Sequence, residues 1–254
     1  MSQHNRGSRY HLLQWTRMER NSFAQSLTRL INQPDVTVGV DDWWRPNGDS
    51  NRLEARTETL PDSVLSQEHK SAVRNWWLRH PRGANTPNWD FIGSVTIKGA
   101  KGLLLIEAKS HKNEASCDGK LLKFDASEKS SENHEHIQKA ITEANCYLSS
   151  KHPDISISTD SHYQLANRIA YAWKFASLGI PVILIYLGLL NDMKMQDVGE
   201  PFHSESDLKK FMNGYLNDVF PAELLGKEIH CGLSSFRFFL RSINISDNGV
   251  LLNE

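Results

Sequence analysis

The run VILIYLGLL at residues 182–190 limits the possible folds of this chain more than any other segment. Its nine residues carry no charge and are about half the length of a membrane span, so the run predicts a strand that is buried on both faces. A helical pattern leads directly into it, with Gly179 as the expected C-cap and Pro181 as a residue that cannot continue the helix. A helix followed at once by an apolar strand is typical of an α/β crossover that feeds the middle of a sheet.

A second apolar run carries two charges at its end. The segment GLLLIEAKS (102–110) follows WDFIGSVTI (89–97) after the glycine-bearing loop KGAK, which predicts an antiparallel hairpin. Charges at the end of a buried strand cost free energy unless they are paired or used. Because alternate residues of a strand share a face, Glu107 and Lys109 project from the same side, and Asp90 of the preceding strand projects with them.

The apolar pattern of the two strands also predicts how they pair. We expect Ile97 to lie opposite Gly102. Asp90 then lies opposite Lys109, with Glu107 as its diagonal neighbour roughly 7–8 Å away at the backbone. A slip of one residue would send Asp90 to the other face of the sheet, into the core. Two carboxylates and one amine therefore converge at one end of the predicted hairpin.

An ordinary ion pair is the alternative interpretation of these charges. A Glu-x-Lys triplet at a strand end is common, and Lys109 could simply bridge Asp90 or Glu107 at the edge of a sheet. Three features favour a functional cluster: the strongly buried strand before the triplet, the aspartate on the adjacent strand that faces the same way, and the helix and buried strand that follow. We therefore interpret the three residues as the centre of a site.

The residues of this cluster resemble the PD-(D/E)XK nuclease superfamily. The core of that superfamily is typically a helix, a three-stranded antiparallel meander, a helix and a strand, with Asp on the second strand and Glu-x-Lys on the third. Asp90 in PNWDFIG and Glu107-Ala108-Lys109 in LIEAKS would match these positions, and the resemblance covers about half of the chain. One departure is the position of Pro87, which lies three residues before the aspartate rather than next to it.

The resemblance implies an α/β, restriction-endonuclease-like core, in which a central mixed sheet is flanked by helices. We expect a single domain over 1–254, with the nuclease-like core at 61–190, an N-terminal helical and strand extension at 1–60 and a C-terminal helix-strand extension at 191–254. The first strand of the meander is hard to find, because only residues 80–88 separate the leading helix from the strand that carries the aspartate.

The boundaries of the other elements follow from apolar spacing and from glycine and proline positions. These patterns predict helices over 11–31, 62–79, 134–150 and 206–219, a helix followed by a strand within 162–190, strands over 35–40 and 235–243, and an exposed loop over 111–133.

The residue types of the cluster suit metal-dependent hydrolysis of a phosphodiester. Asp90 and Glu107 offer hard carboxylate oxygens, which suit Mg²⁺ or Mn²⁺, and the resemblance adds the backbone carbonyl of Ala108 as a ligand. Lys109 would hold and polarise the attacking water and offset negative charge as it develops. We therefore expect Asp90, Glu107 and Lys109 to be the catalytic residues of a nuclease, a hydrolase that acts on DNA.

Five further residues are accessory candidates. The resemblance places an acid on the leading helix, where Glu68 is the only carboxylate well inside the helix, although a solvated helix charge explains Glu68 equally well. It also places a glutamine or a basic residue on the later helix, where Gln164 and Arg168 lie one turn apart. His111 and Lys112 follow the triplet and could contact a nucleic-acid phosphate, but ordinary loop polarity explains them too.

Composition sets the remaining expectations. A formal net charge of −1 does not exclude a nucleic-acid partner, because local fields matter more than the total, and residues 98–112 hold four lysines against one glutamate.

Three cysteines in no CxxC pairing, together with an N-terminus that lacks an apolar signal segment, predict a cytoplasmic protein. No run is long enough to span a membrane. A cut through both DNA strands would need two such sites, hence a homodimer.

Two other functions stay open on the sequence. A catalytically silent nucleic-acid-binding or assembly module could keep the same fold, although the intact set of Asp90, Glu107 and Lys109 argues against it. A different hydrolase, such as a glycosidase, could use Asp90 and Glu107 as an acid–base pair. Lys109 beside both carboxylates would hold them ionised, which argues against a general acid.

Overall fold

The computed structural model of the protein describes residues 6–246 and 249–251. Within them the helices are α1 (Ser8–Trp15), α2 (Arg20–Ile31), α3 (Gln67–Trp77), α4 (Glu128–Lys151), α5 (Tyr163–Ser177) and α6 (Glu205–Leu216). The strands are β1 (Val36–Thr37), β2 (Trp44–Arg45), β3 (Phe91–Ile97), β4 (Ala100–Lys109), β5 (Val182–Leu190), β6 (Glu228–Cys231), β7 (Ser234–Ser246) and β8 (Gly249–Leu251).

The strands form one mixed sheet in the order β1-β3-β4-β5-β7-β6, with β2 also paired to β3 and β8 to β7. The pairs β4–β5 and β5–β7 are parallel, and the other pairs are antiparallel. The predicted α/β fold with a mixed sheet flanked by helices is confirmed. Strands from both predicted extensions, 1–60 and 191–254, belong to this same sheet.

The apolar run that predicted a doubly buried strand is β5, and all of its nine residues are buried. It lies between β4 and β7 and runs parallel to both. The preceding helix, α5, ends at Ser177, and Gly179 then takes a left-handed φ of 89° that turns the chain toward the strand. The predicted helix-to-strand crossover into the middle of a sheet is therefore confirmed.

The β3–β4 hairpin differs from its predicted register by two residues. Ile97 pairs with Ala100, not with Gly102, because the turn contains only Lys98 and Gly99. Both turn residues have positive φ, 51° and 79°, which is the geometry of the two-residue turns whose twist matches that of the flanking strands. A shift of two residues keeps every side chain on its predicted face. The prediction that Asp90 lies opposite Lys109 is wrong.

The N-terminal region forms two helices instead of the single one predicted over 11–31. The break lies at Glu19, whose carboxylate caps α2 by accepting hydrogen bonds from the N–H groups of Asn21 and Ser22, both at 3.0 Å. The predicted strand over 35–40 shortens to β1. Both β1 and β2 pair with β3, so the strands preceding β3 in the sheet come from the segment before α3 and not from 80–88.

The long helix α4 begins six residues before the predicted helix over 134–150. Ser127 caps it, since its hydroxyl accepts a hydrogen bond from the Ser130 N–H at 3.4 Å. The last part of the predicted loop over 111–133 is therefore helical, and the exposed loop closes at about residue 127.

The sheet separates two apolar layers. On one face, Ile92, Leu105 and Leu184 pack with side chains of α3, α4, α5 and α6. On the other face, Phe91 and Leu104 pack with side chains of α1 and α2. Among the described residues, no helix is long and apolar enough to cross a membrane. The cluster of charged residues at the end of β4 lies on the first of these faces, beneath α5.

Two glycines give opposite expectations for the same substitution. A Cβ on Gly102 would lie 2.5 Å from the carbonyl oxygen of Pro181, where β4 meets the start of β5, so Gly102→Ala should lower the free energy of unfolding by about 1–3 kcal/mol. Gly214 in α6 has open space around that position, so Gly214→Ala should raise it by about 0.5–1 kcal/mol. Urea unfolding measures both, and a stable Gly102→Ala variant would contradict the close approach.

Candidate functional site

The site begins where β3 stops pairing with β4. The last pair of this ladder joins Phe91 to Ile106, whereas β4 continues to pair with β5 as far as Lys109. Beyond the ladder, the half-buried carboxylate of Asp90 takes over as the acceptor: its Oδ2 accepts the N–H of Ala108 at 2.8 Å. This leaves a gap on the β3 side of the Glu-x-Lys triplet, lined by the aspartate.

The glutamate and the lysine of the triplet are buried, with exposed fractions of 2% for Glu107 and 5% for Lys109. The Nζ of Lys109 donates to Glu107 Oε1 at 2.8 Å and to Gln164 Oε1 at 2.7 Å. A lysine ammonium has three donors, and these two contacts fix its position between β4 and the start of α5. The third donor has no partner among the described residues and is free for a ligand or a water.

Arg168 on α5 holds the other oxygen of Glu107. Its Nε donates to Oε2 at 2.8 Å, and its Nη2 lies 2.7 Å from the same oxygen. The guanidinium also donates to the carbonyl of Asn88 at 2.7 Å and to Asn167 Oδ1 at 2.9 Å, and it lies over the ring of Trp89 at 4.4 Å. A buried arginine with this many partners is rigidly placed.

The two carboxylates have pKa values that are shifted in opposite directions. Burial, followed by the charge of Glu107, raises the pKa of Asp90 from its ordinary 3.8 to about 8. Burial also acts to raise the pKa of Glu107, but the charges and hydrogen bonds of Arg168 and Lys109 outweigh it and hold that pKa below its ordinary value. At Asp90, burial and the charge of Glu107 outweigh the effect of Lys109, which was expected to keep both carboxylates ionised.

The structure brings five of the sequence-predicted residues together: Asp90, Glu107 and Lys109 from the hairpin, and Gln164 and Arg168 from α5. Whether they act in catalysis stays a prediction. The helix α5 can contribute two of them because a spacing of four residues places both side chains on the same face of the helix.

The other three predicted residues have different surroundings. Glu68 is exposed in the first turn of α3. His111 is buried, and its Nε2 lies 3.6 Å from Glu114 Oε1. The ammonium of Lys112 bridges the carboxylates of Glu200 and Asp207, at 2.5 and 3.1 Å. The predicted contacts of His111 and Lys112 with nucleic acid stay predictions.

Tyr186 is a site residue that sequence reasoning missed. It pairs with Glu107 in the parallel β4–β5 register, and both side chains lie on the face beneath α5. Its hydroxyl is buried and has no hydrogen-bond partner among the described residues. Burial raises the pKa of this phenol well above its ordinary value, so the hydroxyl keeps its proton as a donor. The signal in the sequence was a single tyrosine within an otherwise aliphatic strand.

The oxygens in the gap are of the kind that a divalent ion prefers. Oδ1 of Asp90 has no hydrogen-bond partner within the described chain, and Oε1 of Glu107 accepts only from Lys109 among the described residues, which leaves one lone pair on that oxygen. Since the N–H and C=O of a strand residue point to the same side, the Ala108 carbonyl faces the gap as well. No group of three or more His, Cys, Asp and Glu that could hold a metal occurs among the described residues. The predicted set has two such residues plus the carbonyl, and hard oxygens suit Mg²⁺ or Mn²⁺.

No protein-family model matches the sequence, and no curated protein and no solved structure matches the chain. The resemblance to PD-(D/E)XK nucleases therefore depends on the motif residues Asp90, Glu107 and Lys109.

The raised pKa of Asp90 predicts a pH-dependent stability. Between about pH 4 and pH 8 the folded protein holds a proton that the unfolded chain has lost, so the free energy of unfolding should fall as the pH rises through this range. Asp90→Asn keeps an acceptor for the Ala108 N–H but cannot titrate, and its stability should change less with pH. Urea unfolding between pH 5 and 9 in EDTA tests this. An equally steep dependence in Asp90→Asn would contradict it.

Replacing the buried Arg168 should lower the free energy of unfolding far more than replacing an exposed arginine. Arg168→Gln leaves the charge of Glu107 buried with one cation fewer, which should lower the free energy of unfolding by about 3 kcal/mol. Arg17 pairs with Asp49 at the surface, and Arg17→Gln should lower it by less than about 1 kcal/mol. Denaturant unfolding of both variants at one pH checks the comparison, and similar losses would show that the buried pair contributes little.

Proposed function

We propose that this protein is a metal-dependent nuclease that hydrolyses phosphodiester bonds in DNA, with a restriction-endonuclease-like core. The observation that carries the proposal is the position of the Lys109 ammonium. It is buried between Glu107 and Gln164, has one donor free, and lies at the end of the hairpin whose other carboxylate belongs to Asp90. A buried cation fixed beside two carboxylates suits a reaction in which negative charge develops on phosphate oxygens.

Each residue of the site has its own role in the proposed hydrolysis. Asp90, Glu107 and the carbonyl of Ala108 would hold Mg²⁺ or Mn²⁺, which when bound supplies charge stabilisation to the scissile phosphate. Lys109 holds the attacking water through its free donor and offsets the charge that builds up as the water loses its proton. Gln164 orients Lys109, and Arg168 fixes Glu107. Asp90 must lose its proton to act as a ligand, so its raised pKa makes metal affinity increase with pH up to about 8.

One observation favours the second candidate, a catalytically silent nucleic-acid-binding module. Arg168 already contacts Glu107 Oε2 with two nitrogens, so its guanidinium supplies the positive charge that a metal ion would otherwise bring. Such a site would bind an anion without any metal. The hydrogen bond from Lys109 to Gln164 favours the nuclease, because it fixes the direction of the remaining donor, which positioning a water requires and attraction of an anion alone does not.

A glycosidase with Asp90 and Glu107 as its acid–base pair is less consistent with the contacts. The protonated Asp90 could serve as a general acid, since its pKa is raised to about 8. Glu107, however, is 2% exposed and has both oxygens bonded to cations, which makes it a poor nucleophile and a poor base toward a sugar.

The cellular compartment and the oligomeric state also belong to the proposal. The three cysteines are free, which fits a reducing cytoplasm. A cut through both DNA strands would require two copies of the site, and we propose a homodimer for that case.

Replacing Lys109 tests the nuclease directly. Lys109→Met keeps the aliphatic stem and removes the charge, and it should reduce metal-dependent cleavage by about 100-fold or more. Lys101→Met is the matched control, because Lys101 is an exposed lysine of the same strand. The substrates are plasmid, linear duplex and single-stranded DNA, and RNA, each with Mg²⁺, Mn²⁺ or EDTA. Circular dichroism confirms that both variants are folded.

The outcomes separate the candidates. Cleavage by Lys109→Met at the wild-type rate would refute the assignment of this residue. If the wild type cleaves none of the substrates under any condition but binds them in EDTA, the silent module replaces the nuclease.

A further inference from the structure

An apolar tip projects from the loop that connects β4 to α4. Residues 120–124 have the sequence KLLKF. Leu121 is 90% exposed and the side chain of Phe124 is fully exposed, with Leu122 partly exposed between them. Single exposed apolar residues are ordinary on a protein surface, but three within four positions are unusual and make this tip a candidate binding surface.

The base of this loop is held firmly against the start of α5. The carbonyl of Cys117 accepts the N–H of His162 at 3.0 Å, and the carbonyl of Asp118 accepts the N–H of Tyr163 at 2.9 Å. Gly119 approaches the backbone so closely that a Cβ there would lie 2.4 Å from the carbonyl oxygen of Asp160. Only glycine fits this position, so the close packing of the loop against the backbone at Asp160 depends on it.

The anchoring point lies next to the candidate active site. Tyr163 immediately precedes Gln164, whose side chain accepts a hydrogen bond from Lys109. The Nζ of Lys120 lies 4.8 Å from the centre of the Tyr163 ring, which joins the first residue of the tip to the same helix turn. The loop is therefore fixed at its base, beside the site, while its tip points into solvent.

We propose that the KLLKF tip binds unpaired bases of a nucleic-acid strand that enters the site, with the ring of Phe124 stacked on a base and Lys123 on a backbone phosphate. This inference rests on the proposed nuclease function for its class of ligand, and it narrows the substrate to single-stranded nucleic acid or to strands with unpaired ends. Leu121 packs against the neighbouring base or sugar.

The composition of the tip matches such a strand. Lys123 is exposed next to Phe124 and offers a cation to a phosphate, whereas Lys120 is half-buried over the Tyr163 ring and the exposed Asp125 follows the tip. Every base has a π-face on which an aromatic ring can stack, but bases inside a duplex expose none of it. An exposed ring beside the exposed Lys123 therefore favours unpaired nucleotides.

Two substitutions separate stacking from charge, and a third is the matched control. Phe124→Ala should weaken binding to a 20-nucleotide single strand by about 5- to 150-fold, the effect of losing one stacked base. Lys123→Ala should weaken it less and reduce the slope of log K against log salt by about 0.7, whereas Phe124→Ala should leave that slope unchanged. Leu233 is 81% exposed in the β6–β7 turn, and Leu233→Ala should bind as the wild type does.

The assay uses the full chain in EDTA, so that binding is measured without cleavage. Fluorescence anisotropy of a labelled single strand and of a blunt duplex gives the affinities at several salt concentrations. A 2-aminopurine base in the strand should change its fluorescence on binding to the wild type and to Leu233→Ala, and not to Phe124→Ala. Vesicles of phosphatidylcholine with phosphatidylserine test a membrane surface as the other ligand for an apolar, basic tip.

Each result decides the question. Loss of single-strand binding in Phe124→Ala supports the inference even if the wild type cleaves nothing, in which case only the nuclease fails. If Phe124→Ala binds and cleaves as the wild type does, the inference fails and the nuclease stands. Vesicle binding that depends on Phe124, with unchanged oligonucleotide binding, would also overturn it.

Discussion

The buried charge of Glu107 is the constraint on which the rest of the site depends. A lone carboxylate at this depth would cost several kcal/mol, so its neighbours have to compensate. Lys109 bonds one oxygen and Arg168 the other. The arginine in turn needs the carbonyl of Asn88 and the ring of Trp89. Because Glu107 lies on β4 and Arg168 on α5, satisfying one charge also fixes how the helix lies on the sheet.

The tight β3–β4 turn gives the site its opening. A turn of only two residues sets the register in which Phe91 is the last residue of β3 to pair, so Asp90 falls just past the ladder. Its carboxylate then replaces the missing backbone acceptor for Ala108 and faces Glu107 across the gap. Glu107 is buried and Asp90 is half-buried, and each negative charge opposes ionisation of the other, so the carboxylate without a cation partner of its own, Asp90, is the one whose pKa is raised.

Local pattern was enough to predict β5, the hairpin and the residues of its charged end, because apolar runs and period-two alternation depend only on neighbouring residues. The register was not predictable in this way. It depends on the positive φ of Lys98, which sequence pattern does not reveal for a lysine. The contact between Arg168 and Glu107 was likewise inaccessible, since it spans sixty-one residues and depends on how α5 packs. The spacing of Gln164 and Arg168 identified the correct helix face, but not the partner of each side chain.

The charges of the site indicate what it attracts. While Asp90 is protonated, which its raised pKa favours, one carboxylate faces two buried cations and the cluster has a net positive charge. Such a site is complementary to an anion, and the partly dehydrated surroundings strengthen that attraction. Once Asp90 ionises, the two acids balance the two bases and the attraction for an anion is lost. In the proposed nuclease, the proton on Asp90 would therefore determine whether a phosphate is bound by the two cations alone or together with a metal ion.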